Sequence, residues 1–176
     1  MAFPFTPDVD YRYAPNFFEN RGGRARDYNH VKRVLVDGTH ERAHDGVDIF
    51  VARGTPVRSV FDGVVIDPAI RWRPWNPARY GTTAVVISEE PASPGYAALY
   101  MHLDRIDVEP GDRVRRGEVI GAAGSSGNAI GSPLHLHFEL RSPFRFEVRE
   151  AGLRRQIDAF DPYPSLVAAD PKAEGD

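Results

Sequence analysis

From residue 47 onward the chain is cut into short Val, Ile and Phe segments by Gly, Pro and Asp, as in VDIFVARGTPVRSVFDGVVIDP. Glycine permits tight turns and proline removes a backbone donor, while β-branched and aromatic residues suit a pleated, half-buried surface. The same texture returns in TTAVVISEE, YAALYMHLDRI, DRVRRGEVIGAAG and LHLHFELR. This punctuation predicts several short antiparallel strands and an all-β fold, either a sandwich or a partly open barrel. Only EAGLRRQIDAF, residues 150–160, reads as a short helix. VARGTPVRSVFDGVV and VEPGDRVRRGEVIGAAG echo each other in their spacing of Gly and Val, which suits a fold made from two related β motifs.

A length of 176 residues with 41% hydrophobic content gives one domain with a real core plus short tails. Residues 1–40 show no sustained period and are expected to form an irregular arm, with the folded domain at 41–167 and a tail at 168–176. A formal charge of −3 argues against a nucleic-acid partner, so Arg113, Arg115 and Arg116 read as a solvated strand edge. No stretch approaches the roughly 18 to 20 apolar residues of a membrane span, and MAFPFTPDVD has neither a basic start nor an apolar signal region. The chain contains no cysteine, which removes disulfides, thiol nucleophiles and thiolate zinc sites together. Any metal must be held by imidazole and carboxylate.

The segments HDGVDIF, LYMHL and LHLHFEL carry four histidines: His44, His102, His135 and His137. On a straight strand His44 and Asp48 would lie about 13 Å apart, too far to share an ion whose ligands sit about 2.0–2.2 Å away. The sequence between them is a poor helix, so Gly46 is expected to bend the chain and let imidazole and carboxylate converge. In LHLHFELR the two-residue period puts Leu134, Leu136, Phe138 and Leu140 on the core face and His135, His137 and Glu139 on the other. The two histidine Cα atoms should then be about 6.6 Å apart, both facing one pocket. His44, Asp48 and one of this pair would make a three-ligand zinc site that keeps a position for water. His102 and the remaining strand histidine would be free imidazoles able to shuttle protons near neutrality. Glu139 is a candidate partner for orienting a ring nitrogen. His30 and His40 lie in the arm and are read as hydrogen-bonded core or rim residues, whereas Trp72 and Trp75 either line the groove or anchor their own loop.

HDGVDIFVARGTPV, YMHLDRIDVEPGDRVRRGEVIGAAGSSGNAIGSPLHLHFEL and DPYPSL resemble the lysostaphin/LytM-type zinc endopeptidases, which cut peptide bonds in bacterial peptidoglycan. The likeness covers about residues 40–167. It implies antiparallel sheets in a barrel-sandwich, duplicated-hybrid-motif arrangement with an open groove and one zinc ion on its floor. It further implies that His44, Asp48 and His137 bind the zinc and that His102 and His135 are the catalytic histidines. One of that pair would take the proton of the attacking water and the other would bond the developing oxyanion. Peptidoglycan peptides are then the partner, an extracytoplasmic site the location, and a monomer the expected state. Leu134 stands where such sequences usually carry proline, and the loop AIRWRPWNPARYG is distinctive. Two other classes compete: a phosphocarrier of related sandwich fold that uses paired histidines, and a non-catalytic peptidoglycan-binding or activator module. The phosphocarrier has no need for Asp48 joined to His44, and the module would be expected to have lost a ligand.

Overall fold

A computed structural model describes residues 1–24, 32–34, 40–71, 76–149, 152–156 and 158–173; at 20–24, 32–34, 40–42, 70–71, 145–149 and 152–156 only the backbone course is described. Trp72, Trp75 and His30 lie outside the described residues, and so does the side chain of His40. The strands are β1 (Tyr11–Arg12), β2 (Asn20–Arg24), β3 (Lys32–Val34), β4 (His40–Ala43), β5 (Val47–Val51), β6 (Pro56–Arg58), β7 (Gly63–Val65) and β8 (Thr82–Ser88). They continue with β9 (Ala97–Ile106), β10 (Arg113–Val114), β11 (Val119–Ala123), β12 (His135–Arg141), β13 (Arg145–Arg149), β14 (Gly152–Gln156) and β15 (Ala159–Phe160). Three short helices, α1 (Pro68–Arg71), α2 (Pro77–Tyr80) and α3 (Tyr163–Ala169), and a 3-10 turn at Gly127–Ala129 complete the described elements.

The protein is predominantly β, with antiparallel pairing in every described ladder. The main sheet has ten strands, ordered β1-β5-β12-β9-β8-β7-β10, with β11 joining β6 to β9 and β15 on β12. The two echoing segments pair with each other: β6 with β11, and β7 with β10. Period-2 alternation fills both faces of the central strands. Val47, Ile49, Tyr100, Leu136 and Phe138 pack in the main core, while Val85, Leu99 and Met101 form a second apolar cluster. The arginine segment starts on the outer strand β10, where exposed Arg113 pairs with Glu89 (3.2 Å), and continues into the turn after it, where Arg116 pairs with Glu90 (3.0 Å). This is the solvated edge the sequence suggested. Among the described residues no helix is long and apolar enough to cross a membrane.

Residues 150–160 correct one expectation. Instead of a helix, Gly152–Gln156 form β14, paired with β13 from Arg145↔Gln156 to Arg149↔Gly152. An isolated helix of this length is marginal, whereas RFEVR directly upstream offers a complete ladder. Residues 1–19 are built into the domain: Phe3 and Phe5 are buried in the main core, and Tyr11–Arg12 extend the sheet beside β5. The hydroxyls of Tyr11 (2.5 Å) and Tyr13 (2.8 Å) donate to the carboxylate of Asp170, just past α3, tying the two ends of the chain together.

Candidate metal centre

Three backbone features bring the site together. The chain bends at Gly46, just ahead of β5, so that His44 folds back over Asp48. Gly46 also lies so close to β12 that a Cβ there would meet the Phe138 carbonyl oxygen at 2.2 Å, so only glycine permits this approach. β5 and β12 run side by side with His137 opposite Asp48, and β9 flanks β12 with Met101 opposite His137. His102 follows in β9 with φ 64°, a left-handed conformation rare for a side-chain-bearing residue and typical of functional sites.

His44 Nε2 lies 3.1 Å from Asp48 Oδ1 and 3.0 Å from His137 Nδ1, which is itself 3.0 Å from Asp48 Oδ1. Ligands about 2.0–2.1 Å from a tetrahedral ion are about 3.3 Å from one another, so the three atoms outline one face of such a sphere. The outer nitrogens are already engaged. His44 Nδ1–H donates to the Asn16 carbonyl (2.7 Å) and His137 Nε2–H to Glu139 Oε1 (3.0 Å). With those tautomers, two nitrogen lone pairs and a carboxylate oxygen converge on one point, a donor set that calls for a cation. His44, Asp48 and His137 are thus a His-His-Asp cluster able to coordinate a metal ion.

His135 and His102 stand beside this cluster. His135 Nδ1–H donates to the Pro133 carbonyl (2.8 Å), and its Nε2 is 3.8 Å from Asp48 Oδ1. His102 Nδ1–H donates to the Ser126 carbonyl (2.9 Å), which turns its Nε2 away from the loop. The two rings meet edge to face with centroids 5.2 Å apart. All five sequence-selected residues line one groove of about 290 Å³, with Tyr80 and Asn128 among the other lining residues.

Sequence reasoning missed Asn16, Ser126 and Arg141. The Asn16 side chain accepts from the Asp48 amide (3.3 Å) while its carbonyl holds His44, so one arm residue braces two members of the cluster. Ser126 Oγ donates to the Leu103 carbonyl (2.7 Å) and accepts from the Thr82 amide (2.9 Å), fixing the loop that holds His102. Neither residue has a local sequence signal. Arg141 does, since it continues the alternation His135, His137, Glu139 along β12.

The electrostatics couple these groups. Burial opposes charging His137, but hydrogen bonds to Asp48 and Glu139 outweigh it and raise its pKa to about 9. Burial, reinforced by repulsion from His137 and His135, pushes His102 down to about 4. A raised histidine stabilises the fold below its unfolded value of about 6.5 and loses that contribution as pH climbs through 9. A depressed histidine does the reverse, contributing above 6.5 and losing its share as pH falls toward 4. Chelator-treated protein is therefore expected to be most stable near pH 6.5 and to weaken toward pH 4.5 and pH 9, each side by up to about 3 kcal/mol. Metal binding needs His137 unprotonated, so metal-loaded protein should gain stability from pH 6.5 to 9. Urea unfolding at the three pH values, with and without metal, measures both trends.

The fold and the site define an antiparallel β-protein whose groove is lined by a His-His-Asp cluster able to coordinate a metal ion. The family model for peptidase family M23 matches residues 42–152, and the chain belongs to that family. It is 34% identical over 126 residues to the glycyl-glycine endopeptidase ALE-1 of Staphylococcus capitis, covering 72% of this chain and 30% of that protein. Against the L-Ala--D-Glu endopeptidase of Bacillus subtilis it is 32% identical over 174 residues, 95% of this chain and 43% of the relative. The solved structure of lysostaphin from Staphylococcus simulans superposes with a TM-score of 0.55 at 28% identity, covering 84% of this chain and 53% of that one. The chain spans less than half the length of these two curated relatives.

Proposed function

We propose that this chain is a zinc-dependent endopeptidase that hydrolyses peptide bonds in bacterial peptidoglycan, in the stem peptide or its crosslink. In this reading residues 41–167 are the catalytic unit, with the sheets in a barrel-sandwich hybrid arrangement, and the protein works as a monomer outside the cytoplasm where its substrate lies. His44, Asp48 and His137 are the metal ligands, and His102 and His135 the catalytic pair. The observation that carries the reading is the convergence of three donor atoms at 3.0–3.1 Å beside two imidazoles outside that donor set. Zinc suits two imidazoles and one carboxylate, and when bound it lowers the pKa of a water and polarises a carbonyl.

The protein's own groups supply the rest. Asn16 and Glu139 keep the outer nitrogens of His44 and His137 protonated, so their lone pairs stay directed inward. The Ser126 and Pro133 carbonyls do the same for His102 and His135, leaving each Nε2 to take a proton or donate one to a developing oxyanion. The relatives are named for different bonds, glycyl-glycine and L-Ala--D-Glu, and two further relatives from Vibrio cholerae are named peptidoglycan DD-endopeptidases, which supports the substrate class rather than one particular bond.

The test is incubation with defined muropeptides, followed by mass analysis of the products. Cleavage at one peptide bond, abolished by a chelator and restored by zinc, is expected. Intact muropeptides at saturating zinc would overturn the proposal.

A further inference from the structure

Arg141, at the end of β12, is only 3% exposed, and its neighbour on the same strand face, Glu139, is 1% exposed. A guanidinium and a carboxylate so deeply buried are expensive to desolvate and persist only when each is well paired. Their pairing is divided in an informative way. Both Nε (2.7 Å) and Nη2 (2.6 Å) of Arg141 go to a single carboxylate oxygen, Oε2. The other, Oε1, is thereby left for the Nε2–H of His137 at 3.0 Å. The same Nη2 lies 3.9 Å from Oδ2 of buried Asp45, the residue after His44. One guanidinium thus sits between the carboxylate that follows His44 and the carboxylate that holds His137.

We infer that Arg141 is a positioning residue for the metal centre: by occupying one oxygen of Glu139 it fixes the rotamer whose other oxygen sets the tautomer and aim of His137. The chain of contacts runs Asp45, Arg141, Glu139, His137, and ends at the Nδ1 that faces His44 and Asp48. Without the guanidinium, the Glu139 carboxylate would be buried with half its acceptor capacity unmet and free to turn toward another donor. Nδ1 of His137 would then present a lone pair for only part of the time. Arg141 touches neither metal nor substrate in this scheme, and its effect is read in how tightly the site holds its ion.

The inference rests on the zinc-site reading above, and the experiment separates the two. Zinc affinity is measured by competition with a chromophoric chelator for wild type, Arg141→Met, Glu139→Gln and the double variant, each with its far-UV circular dichroism and metal-free thermal midpoint. Wild type that fails to bind one zinc sinks the zinc-site reading itself. If wild type binds, Arg141→Met is expected to weaken zinc by about 10- to 100-fold, the range for partners behind a ligand. In the Glu139→Gln background the same substitution should cost less than threefold, because the route through Glu139 is already broken. Affinity within threefold of wild type in a folded Arg141→Met protein overturns the inference, as does an undiminished loss in the Glu139→Gln background. Should Arg141→Met fail to fold, Arg141→Lys keeps a buried cation without the two-pronged grip on Oε2. It is then expected to bind zinc at least threefold more weakly than wild type, and equal binding overturns the inference.

Discussion

Asp48→Ala is expected to yield a folded protein that holds no stoichiometric zinc and cleaves no muropeptide. Asp48 Oδ1 is the point where the site closes, 3.1 Å from His44 Nε2 and 3.0 Å from His137 Nδ1. Those bonds, working against the cost of burial, hold its carboxyl well below the usual carboxylate range, so it is anionic at any pH where the protein functions. Removing it leaves two imidazoles as the remaining members of the cluster and deletes the one carboxylate among the three converging donors. The loss should exceed the roughly 10- to 100-fold seen when a partner behind a ligand is removed. Asp48→Asn discriminates further, since it keeps the shape and one oxygen while deleting the charge; it should bind zinc more tightly than the alanine variant but well below wild type. Metal analysis after gel filtration reads both, and one retained zinc per chain in Asp48→Ala would show that the ligand set is wrongly drawn.

The parts of this site legible in the sequence are those fixed by local period and spacing. Alternation along LHLHFELR places His135, His137 and Glu139 opposite the apolar face, and the strand β12 has that arrangement, with Leu136, Phe138 and Leu140 buried in the main core. The distance argument requiring a bend at Gly46 also holds, because a straight strand could not bring residues 44 and 48 to 3.1 Å. The strict limit on that bend, the carbonyl of Phe138 pressed against Gly46, is a long-range contact with no local trace. The same is true of Asn16. Nothing in an aperiodic stretch of Asn, Phe and Pro announces that a carbonyl 28 positions away will hold His44. Residues 150–160 misled because helix propensity is a weak prior that a neighbouring strand readily overrides.

The left-handed backbone of His102 allows its proposed catalytic role to be separated from its structural cost, and this gives the second large effect. His102→Ala and His102→Gly should both keep one zinc, since the ring is not in the donor set, and both should lose about 10²- to 10⁴-fold in kcat/KM, the usual share of a positioned proton-transfer group. Their stabilities should differ. At φ 64° an alanine Cβ crowds the following carbonyl, at about 1–2 kcal/mol, whereas glycine adopts that conformation freely. The glycine variant should therefore unfold at higher urea than the alanine variant while being equally inactive. Such a result would mean that the strain is retained because only a side chain at this φ brings an imidazole beside His135, whose ring centroid is 5.2 Å away. His135→Ala, on an extended strand with no comparable strain, should lose activity without an analogous gain on replacement by glycine. Unchanged turnover in either His102 variant would remove this residue from the catalytic pair, and equal stability of the two would remove the argument from strain.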